Sequence, residues 1–470
     1  MPNSPHAVSV ALPRWQDVIG YEEDDPRVMS RLALGYPRFV INPAVHQLVR
    51  TVTDAPYALP FTSAETAAWC ADFIRDNCGA PVDRAVTHGI HVISTTEAGQ
   101  SALKAFWQHT GRILSSRQAR AALEDTWDDS DGDDHRRALS EQVAHHYQCT
   151  AGDVRLYPTG MAAICAGLLA AKHVNPDKRT LQLGFPYVDT LKLQQSITGG
   201  VCFIPGHAGD VIEAAEAALA RESFAACICE VPGNPLLGCI DILRLRELLD
   251  RHRVPLLIDD VVATPFNCAL TDKADLVLTS LTKYMAGAGD VMGGAVIANP
   301  NSPFADALGT CLEANGHDRL WGADAIHLAR LSADFPERMR VHNANGLHLA
   351  EVLRNHPAIE QVWYPKWTAR ETYDAIRRPE GGWGGLLSFT LKRAAHVTPQ
   401  FFDRLELCKG PSLGTVFSLA CPFTLLAHYD ELDWAESCGV SRYLIRVSAG
   451  LEPPEVLVDR FEAALDPITT

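Results

Sequence analysis

The sequence predicts an α/β protein built on a parallel sheet with helices on both faces. Two observations lead to this fold class. Short apolar runs of strand length recur between residues 180 and 298, and helical segments separate them. The composition agrees, since 47% hydrophobic and 21% charged residues in a chain of 470 are typical of globular proteins. Ligands of such sheets bind beyond the carboxyl ends of the strands, so the residues there are the first candidates for function.

The predicted elements follow one another in a regular order from about residue 150. Apolar runs of strand length lie at Thr180–Leu183, Val201–Pro205, Phe224–Val231, Val254–Ile258, Leu276–Thr279 and Gly294–Ala298. Segments with helical spacing lie at Met161–Val174, Asp189–Thr198, Val211–Arg221 and Asp241–Arg253. This alternation is typical of strands joined by crossover helices.

The regions on either side differ from this pattern. The first 140 or so residues are turn-rich, and we expect an irregular arm and subdomain there. The acidic stretch from Trp127 to Asp134 is expected to be a solvated linker or exposed turn, because Trp127 stands where a calcium loop needs its first carboxylate. Beyond residue 330, a long helical pattern and fewer strands predict a smaller α/β domain. We therefore expect domains at residues 1–145, 146–334 and 335–470.

Composition argues against several classes of function. The chain has 57 acidic and 41 basic residues, and its formal net charge of −16 repels nucleic-acid phosphates. No apolar run approaches the roughly 20 residues that span a membrane. The amino terminus lacks the segments of a signal peptide, so we expect a cytoplasmic protein. The 13 cysteines form no C-x-x-C pair and the 18 histidines no H-E-x-x-H motif, so no metal site is expected.

Three segments at predicted strand ends carry candidate ligand-binding groups. The turn Thr159-Gly160-Met161 opens a helix and could cradle a phosphate with its N–H groups, although such a turn is commonly a simple N-cap. Asn234, in the turn after Glu230, could donate to a ligand oxygen or satisfy the turn. Asp259 and Asp260 end a buried strand, where a carboxylate needs a partner. That partner could be a cationic ring nitrogen of a cofactor or the backbone of the next segment.

A fourth segment combines two hydroxyls with a lysine. Ser280 and Thr282 stand at alternate positions just before Lys283, beside a glycine-rich loop. Hydroxyls at this spacing can bind a phosphate, while the lysine amine can form a Schiff base with an aldehyde. An isolated lysine is usually a solvent-exposed charge. The four segments together, however, supply a phosphate cradle, a carboxylate for a ring nitrogen and an imine-forming lysine, which are the groups that pyridoxal 5′-phosphate requires.

The sequence resembles the pyridoxal-phosphate enzymes of cysteine and methionine metabolism, which include cystathionine γ-synthase. The resemblance continues from the four segments into Asp290–Gly294, Ser412-Leu413-Gly414 and Leu444–Glu452. Residues 6–10, 20–23 and 35–39 look like the long-armed, fungal-type branch of these enzymes. The resemblance implies fold type I, in which a mostly parallel seven-stranded sheet lies between helices in a large domain and a smaller α/β domain follows it.

The resemblance also implies a role for each candidate residue. Lys283 would carry the cofactor and move protons, Asp259 would pair with the ring nitrogen, and Tyr187 would stack on the ring. Arg446 would bind the α-carboxylate of a small amino-acid substrate, supported by Asn234 and Ser412. The other residues implied to hold the cofactor are Thr159, Gly160, Met161, Asn234, Ser280, Thr282 and Arg117. Arg117 would reach the phosphate of a neighbouring subunit, which implies a homodimer or homotetramer with shared active sites.

Two departures from the family pattern concern the second substrate. Ser115 stands at the tyrosine position of a family Tyr-x-Arg motif, and Pro411 stands where many γ-acting relatives have glutamate. The favoured reaction is γ-replacement on an O-acyl-L-homoserine through a vinylglycine-type intermediate, with cysteine as acceptor. The alternatives are a specialised γ-substitution with a carbon or other thiol nucleophile, a γ- or β-lyase, and a non-enzymatic relative. Retention of Lys283 and Asp259 argues against the last.

Overall fold

Three β-sheets organise the chain. The computed structural model describes residues 2–206 and 210–469, and within these residues the sheets contain three, seven and five strands. The ends of the seven-stranded sheet approach the candidate residues, so this sheet positions the site. No helix in the described ranges is long and apolar enough to cross a membrane.

The amino-terminal region is regularly folded, so the expectation of an irregular first 140 residues is wrong. Its strands are β1 (Tyr57–Phe61), β2 (Val82–Thr87) and β3 (Ile90–Thr95). Its helices are α1 (Trp15–Glu22), α2 (Pro26–Met29), α3 (Pro43–Val52), α4 (Ala64–Cys78), α5 (Glu97–Thr110), α6 (Ser116–Leu123) and α7 (Gly132–Tyr147). The strands pair antiparallel in the order β1-β3-β2. Phe61, Phe106 and Trp107 lie in the core between sheet and helices. Turn residues separate these short strands, so the alternation of apolar and polar residues that marks a strand is too short to recognise in the sequence.

The acidic stretch from Trp127 to Asp134 contains the expected exposed turn, but it leads into a helix and is not a linker. Helix α7 begins inside it at Gly132. The Asp129 carboxylate accepts hydrogen bonds from the Arg136 guanidinium and from the N–H of Gly322, both at 2.8 Å. The stretch therefore joins the start of α7 to a segment almost 200 residues later, a long-range contact that no local pattern reveals.

The large region has the predicted α/β architecture. Its strands are β4 (Val154–Tyr157), β5 (Thr180–Leu183), β6 (Val201–Ile204), β7 (Cys227–Glu230), β8 (Leu256–Asp259), β9 (Leu276–Ser280) and β10 (Gly294–Ala298). Its helices are α8 (Gly160–Val174), α9 (Val188–Ser196), α10 (Asp210–Leu219), α11 (Ile242–His252), α12 (Thr264–Asn267), α13 (Ala305–Ala314) and α14 (Gly322–Leu331). The strand order is β4-β10-β9-β8-β7-β5-β6, and β10 runs antiparallel to both of its neighbours. The remaining neighbours are parallel.

Helix α8 shows how the sequence fixes this layer. The helix is apolar and rich in small residues around most of its circumference, which is typical of a helix buried on several sides. Thr159 caps its first turn, since its hydroxyl accepts a hydrogen bond from the N–H of Ala162 at 3.0 Å. Gly167 lets the helix approach the sheet, because a Cβ there would lie 2.8 Å from a methyl group of Leu278 on β9. The start of α8 is thereby held at the carboxyl edge of the sheet.

The carboxy-terminal region forms a smaller α/β layer. Its strands are β11 (Ile359–Trp363), β12 (Leu386–Leu391), β13 (Cys408–Lys409), β14 (Leu419–Pro422) and β15 (Ile445–Ser448). Its helices are α15 (Phe335–Asn355), α16 (Pro365–Thr368), α17 (Arg370–Asp374), α18 (Ala394–Arg404), α19 (Phe423–Ala427), α20 (Leu432–Ser437) and α21 (Pro454–Thr469). The strand order is β11-β12-β15-β14-β13. Since each region has its own sheet, we propose to retain the division at residues 1–145, 146–334 and 335–470.

Substitution of Gly294 tests the close packing of β10 against the start of α8. A Cβ at Gly294 would overlap the carbonyl oxygen of Thr159, whereas Gly309, inside α13, has open space around it. Gly294→Ala is expected to lower the free energy of unfolding by about 1–3 kcal/mol through overpacking. Gly309→Ala should raise it by about 0.5–1 kcal/mol, because alanine favours helix. Denaturant unfolding of both variants measures this, and equal stability of the two would contradict the packing.

Candidate active site

A cavity opens at the carboxyl edge of the seven-stranded sheet. The small region closes its other side through the segment at 411–413 and through β15. Most of the residues selected from the sequence line it: Gly160, Met161, Tyr187, Asn234, Asp259, Ser280, Lys283, Ser412 and Arg446. Residues from all four candidate segments therefore meet in one place, as the topology of a parallel sheet requires.

One end of the cavity is formed by the first turn of α8 and the end of β9. A Cβ on Gly160 would lie 2.7 Å from the Cβ of Ser280, so only glycine allows this close approach. The Ser280 hydroxyl is buried and has no hydrogen-bond partner within the described residues. A buried hydroxyl without a partner is costly, and a helix N-terminus favours an anion. The two features together fit a phosphate group.

The two threonines beside this end have other contacts. The Thr159 hydroxyl donates to the carbonyl of Gly111 at 2.8 Å while it caps α8. The Thr282 hydroxyl accepts from the N–H of Gly293 at 3.0 Å and so fastens the glycine-rich loop. Both threonines thus shape the anion-binding turn through the backbone. A direct contact of either hydroxyl with a phosphate stays a prediction.

Two buried carboxylates lie side by side at the ends of β7 and β8. Glu230 and Asp259 are paired in the register of these parallel strands. Burial raises the pKa of both, and for Glu230 the charge of Asp259 adds to the effect. Asp259 accepts a hydrogen bond from the N–H of Val261 at 3.0 Å, and Glu230 accepts one from the N–H of Asn234 at 3.0 Å. A cation beside Asp259 would relieve this crowding, which fits a protonated ring nitrogen.

Asp260 faces away from the cavity. Its carboxylate accepts a hydrogen bond from the Tyr147 hydroxyl at 2.9 Å. Successive side chains of a strand point to opposite faces, so Asp259 and Asp260 cannot share one environment. The structure therefore separates the two carboxylates that the sequence left as alternatives, and Asp259 is the one that lines the cavity.

The Lys283 amine lies deep in the cavity. Its Nζ donates to the Ser412 hydroxyl at 3.0 Å and lies 4.7 Å from the centre of the Tyr36 ring. Burial, followed by the charges of Arg446 and Arg38, lowers the pKa of Lys283 to about 7. A lysine with such a pKa is largely a neutral amine at slightly alkaline pH, and the neutral amine is the form that attacks a carbonyl.

Arg446, on β15, is held at the cavity wall by neutral groups. Its guanidinium donates to Oδ1 of Asn234 at 3.1 Å, to the carbonyl of Ser412 at 3.2 Å and to the carbonyl of Pro411. It also lies over the Phe423 ring, 5.0 Å from its centre. These contacts fix the planar group and leave its charge uncompensated by a hydrogen-bonded carboxylate. Such a group suits the carboxylate of a substrate.

Sequence reasoning missed three cavity residues from the amino-terminal arm. Tyr36, Arg38 and Phe39 line the cavity. The Arg38 guanidinium donates to the Tyr187 hydroxyl at 2.6 Å and forms a buried ion pair with Asp189. Arg38 thereby holds the Tyr187 ring in place through its hydroxyl group. A signal was available, because Tyr36-Pro37-Arg38 itself has the Tyr-x-Arg spacing.

Arg117 lies away from the cavity of its own chain. Its guanidinium donates to the carboxylate of Asp324 at 3.1 Å and to the carbonyl of Asp290 at 2.9 Å. Ser115, two residues earlier, caps α6 by accepting from the N–H of Gln118. A contact between Arg117 and a neighbouring subunit stays a prediction.

The fold and the cavity together define the class. A type I α/β fold with a buried lysine, an anion-binding turn and a carboxylate at strand ends is that of a pyridoxal-phosphate enzyme. Residues 132–466 match the family described as Cys/Met metabolism PLP-dependent enzyme, and the chain belongs to this family. It is therefore an enzyme whose cofactor is pyridoxal 5′-phosphate.

Full-length relatives place the chain among the cystathionine γ-synthase-like members. It is 31% identical to a cystathionine gamma-synthase of Neurospora crassa, over 98% of this chain and 96% of the relative. It is also 31% identical to the L-2-amino-4-chloropent-4-enoate dechlorinase/desaturase of Streptantibioticus cattleyicolor, over 99% and 97%. The crystal structure of cystathionine gamma synthase from Xanthomonas oryzae pv. oryzae in complex with cystathionine matches with a TM-score of 0.64 and 26% identity. That match covers 72% of this chain and 87% of the other.

The lowered pKa of Lys283 predicts a distinctive pH dependence. Cofactor-free protein should bind pyridoxal 5′-phosphate covalently at a rate that rises with pH up to about 7 and then levels off. The rise reflects loss of the proton from the Lys283 ammonium, and an ordinary lysine would instead keep rising towards pH 10. Stopped-flow absorbance of the imine measures the rate. A profile that still rises between pH 8 and 10 would contradict the buried amine.

Asp259 and Asp260 form a matched pair for substitution. Asp259→Asn should slow exchange of the substrate α-proton by at least about 100-fold, because an amide cannot hold a ring nitrogen in its protonated form. Asp260→Asn should retain exchange within a few fold, since the amide can still accept from Tyr147. Proton NMR in heavy water follows the exchange. Loss of exchange in Asp260→Asn alone would reverse the assignment.

Proposed function

We propose that this enzyme catalyses γ-replacement on an O-acyl-L-homoserine, with cysteine as the acceptor that the family resemblance predicts. The observation that carries the proposal is the link between Lys283 and Arg446 through Ser412. The Ser412 hydroxyl accepts from the lysine amine, and its carbonyl accepts from the arginine. An amino acid held by its carboxylate at Arg446 presents its nearest carbon atoms to this amine.

The cavity residues fit the cofactor in distinct ways. We assign the phosphate to Gly160, Met161 and Ser280, with Thr159 and Thr282 shaping that end, and the ring to Tyr187, Asp259 and Lys283. When bound, pyridoxal 5′-phosphate supplies an electron sink next to the substrate α-carbon. The chain supplies the base, because the Lys283 amine can take up and return protons near neutral pH. Asn234 and Arg38 keep Arg446 and Tyr187 in place.

Water-completed elimination is the second candidate. Its support is the relative from Streptantibioticus cattleyicolor, which is named for loss of a halide rather than for transfer, at the same 31% identity. Elimination and replacement share the removal of protons beside the carboxylate and the loss of a leaving group. They differ at the γ-carbon, which bonds to a second nucleophile in replacement and takes up a proton in elimination, after which water releases 2-oxobutanoate and ammonia.

A product analysis tests the function. Purified holoenzyme is given O-acetyl- or O-succinyl-L-homoserine with cysteine, other thiols or a stabilised carbon nucleophile, and products are identified by mass spectrometry. We expect a product in which the acyloxy group is replaced by the nucleophile, and no product with Lys283→Ala. Release of 2-oxobutanoate and ammonia at an unchanged rate with every nucleophile would favour the lyase. No loss of the acyl group from either donor would contradict both candidates.

The homodimer or homotetramer with shared active sites also belongs to this proposal. If Arg117 completes a neighbouring subunit's site, Arg117→Ala and Lys283→Ala should be inactive alone and partly active after joint unfolding and refolding. In a mixed dimer one site would then carry both defects and the other neither. Arg446→Ala with Lys283→Ala is the matched control. Both residues lie in one chain's cavity, so this mixture should stay inactive.

Three results would contradict the role of Arg117. An active Arg117→Ala variant would make Arg117 a structural partner of Asp324. Inactivity that no refolded mixture relieves would place Arg117 in its own subunit's machinery. Activity in the control mixture as well would show that recovery does not depend on sharing.

A further inference from the structure

A second cavity joins the catalytic one on the side of the amino-terminal arm. It shares Phe39, Tyr187, Pro411 and Arg446 with the catalytic cavity. Its walls come from α1 and the turn after it, from α5, and from α19 of the small region. We call this space the vestibule. Because it opens directly onto Arg446 and Tyr187, a second substrate can reach the reacting carbon through it.

Part of the vestibule wall is apolar. Phe39, Val188, Pro411, Phe423 and Leu426 line it, and Phe39 and Pro411 also line the catalytic cavity. Phe39 is 36% exposed, so its ring remains accessible to a ligand in the vestibule. Pro411 contributes a ring and a carbonyl, and that carbonyl is already bonded to Arg446. An apolar part of a substrate would therefore gain burial here.

The outer rim of the vestibule is acidic. Glu22, Asp24 and Asp430 line it together with Lys104. Burial, followed by the charges of Asp430 and Asp24, raises the pKa of Glu22 to about 8, while Lys104 acts in the opposite direction. The raised pKa keeps Glu22 largely protonated at neutral pH, so the rim presents the carboxylates of Asp24 and Asp430 beside the ammonium of Lys104.

The cations of the vestibule do not provide a second anion site. All of its lining residues lie in the described part of the chain, and among them Lys104 and Arg446 are the two that carry a positive charge. The proposed function assigns Arg446 to the α-carboxylate of the first substrate, and Lys104 lies among the rim carboxylates. A second carboxylate would enter an acidic mouth and then meet an apolar wall.

We propose that the vestibule is the acceptor channel and that it selects a thiol with an apolar body and no free carboxylate. This inference rests on the proposed γ-replacement but changes its acceptor, because cysteine, which the family resemblance predicts, carries a free carboxylate that an acidic rim does not favour. In the net reaction the S–Cγ bond forms and the Cγ–O bond of the ester breaks. The acyl group leaves as a carboxylic acid that carries the proton lost by the thiol, so no oxidant or reductant is needed.

A pair of acceptors that differ only in charge tests the selection. With the donor that the holoenzyme turns over, kcat/KM is measured for methyl 3-mercaptopropionate and for 3-mercaptopropionate. We expect the neutral ester to be favoured by at least about tenfold at low salt, and the preference to shrink as salt screens the rim. Equal use of the acid, or a preference that salt leaves unchanged, would overturn the inference.

Rim variants separate charge from shape. Asp24→Asn combined with Asp430→Asn should move the ester-to-acid ratio of kcat/KM towards unity, because two repelling carboxylates are removed. Asp459→Asn combined with Glu462→Gln makes the same charge change on the exposed face of α21 and should leave the ratio as it is. A ratio that does not change in the rim variant, or changes equally in the control, would overturn the inference.

The donor half-reaction keeps the two proposals distinguishable. Exchange of the α-proton and loss of the acyl group need no acceptor and report on the proposed function alone. If neither occurs, the proposed function fails and this inference with it. If both occur but cysteine and 3-mercaptopropionate are used as readily as their methyl esters, only the charge-selective vestibule is overturned.

Discussion

The site depends on the register of the parallel strands β7 and β8. This register sets Glu230 beside Asp259 at the carboxyl edge of the sheet, buried and close enough for their charges to interact. Two like charges in a buried place are unfavourable unless cationic or donor groups surround them. The N–H groups of Tyr187 and Asn234 satisfy Glu230. The Asp259 carboxylate lines the cavity, where a bound cation would stabilise its charge.

The remaining walls come from distant parts of the chain, and buried polar contacts hold them together. Arg38 connects the amino-terminal arm to Tyr187 and Asp189, and Asp189 also accepts from Gln108 and His109. Ser412 links the small region to Lys283, as Asn234 links the large region to Arg446. Removal of one partner of a buried ion pair is strongly destabilising, because the other charge is left buried and uncompensated. These contacts therefore hold the walls of the cavity together.

Much of the fold could be predicted because local patterns determine it. The strand at Thr180–Leu183 and the one at Gly294–Ala298 have the predicted bounds, and the helices between them differ by a few residues at their ends. The direction of β10 and the sheet at residues 57–95 could not be predicted, since both depend on pairing between distant segments. The candidate residues at strand ends gather in the cavity because topology brings them there. Arg38 and Phe39 escaped selection because they lie on an arm whose path depends on tertiary contacts.

The most direct test of the site is to identify the lysine that carries the cofactor. Holoenzyme is reduced with borohydride, digested, and mapped by mass spectrometry for the cofactor label. The buried amine with a pKa near 7 predicts that the label lies on the peptide that contains Lys283. Lys409 is a natural comparison, since burial also lowers its pKa, to about 8, but its amine donates to the carbonyl of Pro13 away from the cavity. Label on Lys409 or any other lysine, or no label at all, would contradict the assignment of the site.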